Sequence, residues 1–139
     1  MKLLIFTDGG SRGNPGPAAV GIVILDEKQK EIFSKACYIG WATNNQAEYR
    51  AVLEALLWLK NNCQGVEKAE FWLDSQLVVA QLNGRFKIKS LNLKPLIFQI
   101  NKIRQQLPFP ITFQGVKREK NIKADNLVNQ VLDKLNFRR

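Results

Sequence analysis

The sequence predicts an α/β domain built on one mixed sheet, and three observations predict it. Residues 2–39 hold three apolar, partly β-branched runs joined by short polar or Gly/Pro-rich links. At residue 43 the apolar spacing changes to that of a helix. From there helical and strand segments alternate, so the whole chain reads βββαβααβα. Short links between the first three strands predict an antiparallel meander, and the later strand–helix–strand links predict parallel pairs with right-handed crossovers.

The elements follow in order. "KLLIFT" (2–7) reads as a strand that ends at Asp8, with "DGGSRGNPGPA" (8–18) as a Gly/Pro-dense loop. "AVGIVIL" (19–25) and "EIFSKACYI" (31–39) are strands about a "DEKQK" turn. "TNNQAEYRAVLEALLWLKNN" (43–62) is a helix, with Thr43 at the N-cap and Gln46 three residues on as a capping box. "AEFWLD" (69–74) is a strand ending on an acid, and "SQLVVAQLNG" (75–84) is a helix closed by Gly84. "SLNLKPLIFQINKIRQQL" (90–107) is mostly helical, with Pro95 in its first turn. "ITFQGV" (111–116) is the fifth strand and "NIKADNLVNQVLDKL" (121–135) the last helix.

The 139 residues match the size of a single domain, 1–139, with no internal repeat or linker. No apolar run reaches the roughly 20 residues that cross a bilayer, and "MKLLIF" is too short for a secretory signal. The expected setting is cytoplasmic, without a membrane. Cys37 and Cys63 are expected to be buried thiols rather than a disulfide. The chain contains no histidine, which excludes Ser-His-Asp and Cys-His nucleophile systems and histidine-based zinc sites. "GSRGNPGP" lacks the Gly-Lys-Ser/Thr ending of a phosphate-binding P-loop.

The net charge of +9 is unevenly spread, −1 over residues 1–83 and +10 over residues 84–139. A basic half of that kind is the electrostatic footprint expected for a polyanion such as nucleic acid.

Four acids stand where apolar residues belong. Asp8 and Asp74 each follow an apolar strand run. Glu48 heads the helical stripe Glu48, Val52, Ala55, Leu59, and Asp125 heads the stripe Asp125, Val128, Leu132, Leu135. An acid near a helix N-terminus gains about 0.3–1 kcal/mol from the helix dipole. That accounts for the turn each acid occupies, but not for its place on the inward stripe. If the first and fourth strands are neighbours, all four carboxylates reach one rim. Clustered, half-buried carboxylates repel, and such a set persists when a cation fills it. An all-oxygen set without His or Cys favours Mg²⁺, with Mn²⁺ as the alternative. Two such ions can hold a phosphodiester, one activating water and one stabilising the leaving oxygen.

The blocks "FTDGGSRGNPGPAAVG" (6–21), "TNNQAEYRAVLEAL" (43–56), "DSQLVVAQLNG" (74–84) and "REKNIKADNLVN" (118–129) resemble, in order, those of the type 1 ribonuclease H family. The likeness is nearest in kind to its short, His-less bacterial and archaeal members. It implies a ribonuclease H-like fold, a five-stranded mixed sheet in the order 3-2-1-4-5 with strands 1–3 antiparallel. It also implies hydrolysis of the RNA strand of RNA–DNA hybrids with two Mg²⁺ ions, leaving 5′-phosphate and 3′-hydroxyl ends, and a monomer is expected from the size of the chain. The family's metal-binding catalytic acids fall on Asp8, Glu48, Asp74 and Asp125. Asp8 would bridge both ions, Asp125 would complete the site of the water-activating ion, and Glu48 and Asp74 would hold the other. Glu48 would also contact a ribose 2′-hydroxyl.

The resemblance assigns minor-groove contacts to Asn14, Asn44, Asn45 and Gln76, and amides suit that task because they both donate and accept. Turn formation by Asn14 and capping by Asn44 and Asn45 explain the same residues equally well. Gly9 and Gly10 are expected to let the backbone approach the sugar–phosphate chain. Arg85, Lys87, Lys89 and Lys94 would grip DNA phosphates in place of the longer basic protrusion of other members. Where many members carry a loop histidine this chain has "VKREKN" (116–121), so Arg118, Glu119 or Lys120 would serve, or the role is absent.

Overall fold

The computed structural model describes residues 1–85 and 90–137. The chain runs β1 (Lys2–Ser11), β2 (Gly16–Leu25), β3 (Glu31–Ala42), α1 (Asn44–Asn61), β4 (Lys68–Leu73), α2 (Gln76–Leu82), α3 (Lys94–Gln106), β5 (Ile111–Gly115) and α4 (Ile122–Phe137), with a single 3₁₀ turn at Arg118–Lys120 before α4. The five strands form one sheet in the order β3-β2-β1-β4-β5. β1 and β2 pair antiparallel, as do β2 and β3, whereas β4 lies parallel to both β1 and β5. The short links 12–15 and 26–30 only allow the chain to reverse, and the helical links bring it back to start each next strand in parallel.

The strands extend beyond the apolar runs that announce them. β1 does not end at Asp8. It continues through Gly9 and Gly10 to Ser11, because these residues pair with Gly21, Val20, Ala19 and Ala18 of β2. What ends near Asp8 is the other ladder, since the last β1–β4 pair is Phe6 with Trp72. The Gly/Pro-dense stretch is thus half strand. α3 begins at Lys94, with Pro95 in its first turn. Cys37 and Cys63 are free thiols, half-buried rather than fully buried.

Strand alternation sorts the sheet into two faces. Leu3 and Ile5 of β1 and Ile22 and Ile24 of β2 pack with Tyr49, Val52, Leu56 and Leu59 of α1, with Phe71 of β4 and with Val78 and Ile100 of α2 and α3. Each fully buried side chain of this size contributes roughly 1.5–3 kcal/mol. The opposite face carries α4, on a smaller cluster of Ala19, Val128 and Leu132 flanked by Val131 and Leu135. Both inward stripes expected from the sequence are seen, with Val52, Ala55, Leu59, Val128 and Leu132 buried.

Two glycines set how closely the helices lie on the sheet. A Cβ on Gly9 would stand 2.1 Å from the carbonyl oxygen of Ala47 in α1. A Cβ on Gly21 would stand 2.3 Å from that of Ala124 in α4. Only hydrogen at these two Cα atoms lets the first turns of α1 and α4 touch the strands. Glu48 follows Ala47 and Asp125 follows Ala124. Gly9 is buried, and its missing side chain gives α1 the room to lie on β1.

Candidate active site

Each of the four acids is delivered by a different element. Asp8 lies two residues beyond Phe6 on β1, and Asp74 two residues beyond Trp72, so the two acids extend neighbouring parallel strands in register. Asp74 also precedes Ser75, whose hydroxyl caps α2 by accepting from the Val78 N–H at 3.3 Å. Glu48 lies just past the first turn of α1, which opens on the expected capping box. Gln46 N–H donates to Thr43 Oγ1 at 3.1 Å, and Thr43 N–H donates to Gln46 Oε1 at 2.8 Å. Asp125 lies in the first turn of α4.

Asp8, Glu48, Asp74 and Asp125 line one cleft of about 140 Å³, together with Gly10, Arg12 and Arg118. Burial pushes the Asp8 carboxyl up to about 8, and the charge of Asp74, a hydrogen bond with Asp125, and the charges of Asp125 and Glu48 all act in the same direction. Glu48 is pushed up to about 7, first by burial and further by Asp74, while a hydrogen bond with Ser75 and the charge of Arg118 hold it down. Glu48 Oε2 is buried and has no protein partner. Among the described residues no three His, Cys, Asp or Glu side chains are already drawn into a metal-holding group. The four carboxylates instead surround the cleft. Their all-oxygen donor set, mutual repulsion and one orphaned buried oxygen fit hard divalent cations.

The residues given substrate roles fall in different places. Asn14, Asn44 and Asn45 come together in a polar groove of about 380 Å³, completed by Thr43, Gln46, Ser90, Asn92 and Leu93. Two of them also hold the groove's own wall. Asn14 Oδ1 accepts from the Asn44 N–H at 3.0 Å, and Asn44 Oδ1 accepts from the Ser11 N–H at 3.1 Å. Asn44 Nδ2 reaches Glu48 Oε1 at 3.5 Å, which links groove to cleft. Gln76 is exposed at the start of α2, and Arg85 is exposed just beyond its end. Lys94 is exposed at the start of α3. Lys87 and Lys89 lie outside the described residues. Gly10 lines the cleft and would bring a Cβ to 3.4 Å from Val128 Cγ1.

Of the three loop residues considered in place of a histidine, Arg118 lines the acid cleft. Glu119 and Lys120 line a separate cavity with Phe6, Val23 and Ile122. Arg12, which the sequence does not single out, reaches the cleft while its guanidinium donates to Asp133 at 2.7 Å and Asn129 at 3.3 Å on α4. Asn121 is likewise not singled out by the sequence. It is buried, and in the sequence it looks like an ordinary residue at a helix start.

A family described as "Reverse transcriptase-like" matches residues 6–131. LC11-RNase H1, isolated from compost by a metagenomic approach, is 42% identical, with 96% of this chain and 97% of that one covered and a TM-score of 0.91. The chain belongs to the type 1 ribonuclease H family. Ribonuclease H1 from the archaeon Halobacterium salinarum is 35% identical, over 96% of this chain and 99% of that one, with a TM-score of 0.89. The bifunctional protein Rv2228c of Mycobacterium tuberculosis is 39% identical over 134 residues, 96% of this chain and 36% of its own length. The chain thus spans about a third of that ribonuclease H relative. LC11-RNase H1 has also been solved in complex with an RNA/DNA hybrid.

Proposed function

We propose that this protein is an endoribonuclease that hydrolyses the RNA strand of RNA–DNA hybrids, acting as a monomer inside the cell and leaving 5′-phosphate and 3′-hydroxyl ends. The observation that carries this reading is the convergence of Asp8, Glu48, Asp74 and Asp125 on one cleft. Family membership and the hybrid bound to LC11-RNase H1 support the substrate class. The basic excess over residues 84–139 supports a nucleic-acid partner.

The four carboxylates would hold two Mg²⁺ ions, with Mn²⁺ as the alternative. Bound divalent cations supply a lower pKa for the attacking water and charge compensation for the leaving 3′-oxygen. The chain's own residues do the rest. The amide groove of Asn14, Asn44 and Asn45 lies next to Glu48, where it can read sugar hydroxyls and base edges of a minor groove. Gly9 and Gly10 line the acid cleft, and Gln76 is exposed two residues after Asp74. Arg85 and Lys94 present charge to phosphates, as Lys87 and Lys89 are proposed to do. Arg118 takes the place of a loop histidine, with its guanidinium beside the acids.

Digestion of strand-labelled hybrids with and without chelator tests the reading, with Asp74→Asn as control. RNA-strand cleavage that needs metal and vanishes in the variant is expected. Cleavage that survives chelation, or cuts duplex DNA equally, would overturn it.

A further inference from the structure

Thr7 and Asn121 are the buried polar residues among those described, at 2% and 1% exposure. Asn121 makes four hydrogen bonds to four different segments. Its Nδ2 donates to the Thr7 carbonyl on β1 at 3.0 Å and to Asp74 Oδ2 at 3.3 Å. Two acceptors on that atom identify it as the nitrogen, and both of its protons are used. The Asn121 carbonyl accepts from the Asp125 N–H at 3.1 Å, and its own N–H donates to the Arg118 carbonyl at 3.0 Å.

One side chain and its peptide groups therefore touch the residue before Asp8, the carboxylate of Asp74, the backbone of Asp125 and the backbone of Arg118. Of the four acids, only Glu48 lies outside this set. We infer that Asn121 is a positioning residue that fixes three of the four acids relative to one another and orients the Asp74 carboxylate for cation capture. The chemistry requires an amide here. A neutral double donor steadies Asp74 without competing for the cation. A lysine would neutralise the cleft, and a fifth acid would add repulsion. The side-chain oxygen of Asn121, Oδ1, is buried without a protein partner.

The inference rests on the metal-dependent reading above, and its test separates the two. Asn121→Leu keeps the volume and removes both donors, while Asn121→Ala removes the side chain. The midpoint Mg²⁺ and Mn²⁺ concentrations for thermal stabilisation and calorimetric binding should rise about tenfold or more in both variants, the range seen when partners of metal ligands are removed. KM for hybrid should stay within about twofold and kcat should largely return at saturating metal, because the acids themselves remain. A fall in melting temperature with an unchanged metal midpoint would make Asn121 merely structural and overturn the inference. Should neither variant fold, the wild-type side-chain amide signals of Asn121 decide by NMR. They should resist exchange and move on Mg²⁺ addition, and signals that stay fixed while the protein binds Mg²⁺ would overturn the inference. A wild-type protein with no metal response at all would remove the metal-dependent reading itself.

Discussion

Asp8 is paired across the β1–β2 ladder with Gly21, and the bare Cα of Gly21 seats the first turn of α4. The strand position that presents one acid is thus opposite the position that admits the helix carrying another. Gly21→Ala would drive a Cβ into the Ala124 carbonyl, which is rigid helix backbone. The expected loss is about 1–3 kcal/mol or somewhat more, as for other overpacked sites. Asp125 should move away from the cleft with the helix. Urea unfolding gives the first number and metal titration the second. Gly65→Ala makes a useful contrast, since no atom lies near its would-be Cβ. Its positive φ brings backbone strain without displacing a helix.

The metal-free protein should lose stability as pH rises. Asp8 has a folded-state value of about 8 against an ordinary 3.8, and Glu48 about 7 against 4.5. Between these limits the folded state binds more protons than the unfolded one, so the stability conferred by the neutral carboxyls is full below about pH 4 and disappears through about pH 8. Melting temperatures measured in chelator across that window should fall. Asp8→Asn should flatten the decline, keep the fold and abolish cleavage. An Asp8→Asn protein that cuts hybrids at the normal rate would refute the catalytic assignment.

Binding of uncut hybrid, measured with Asp8→Asn, should weaken steeply with salt. If about four phosphates are neutralised, affinity should drop roughly a hundredfold between about 50 mM and 200 mM salt. Charge-neutral variants of Arg85 and Lys94 should make that slope shallower. Equal slopes in the variants would move the phosphate contacts to other cations.

Arg118→Ala should slow turnover more than it weakens binding. Loss of one charged contact to a phosphate corresponds to roughly ten- to a hundredfold in rate. Glu119→Gln, on the neighbouring cavity, should leave the rate near that of the wild type. Single-turnover and steady-state kinetics together distinguish an effect on chemistry from one on product release.

Much of this architecture can be read from the residues, for identifiable reasons. The acids on the stripes of α1 and α4 are visible because apolar partners mark the face each one shares, three buried on α1 and two buried plus the half-buried Leu135 on α4. The capping box of α1 is visible because Thr43 and Gln46 are three residues apart. The length of β1 is not visible, because Gly9 and Gly10 look like a turn until β2 supplies their hydrogen-bond partners. Asn121 is hidden for the same reason. Its side-chain acceptors stand 114 and 47 residues away in the chain, so no local pattern reports them.

The two faces of the sheet are unequally filled, with α4 held by a cluster far smaller than the one beneath α1. Sub-global opening should therefore begin on that thinner layer, and amides of α4 should exchange with deuterated solvent ahead of those in α1. Asp125 rides on the layer that opens first. A cation clasped between Asp125 and the strand acids would close that seam, so the same ion that supports chemistry would act as a rivet for the last helix.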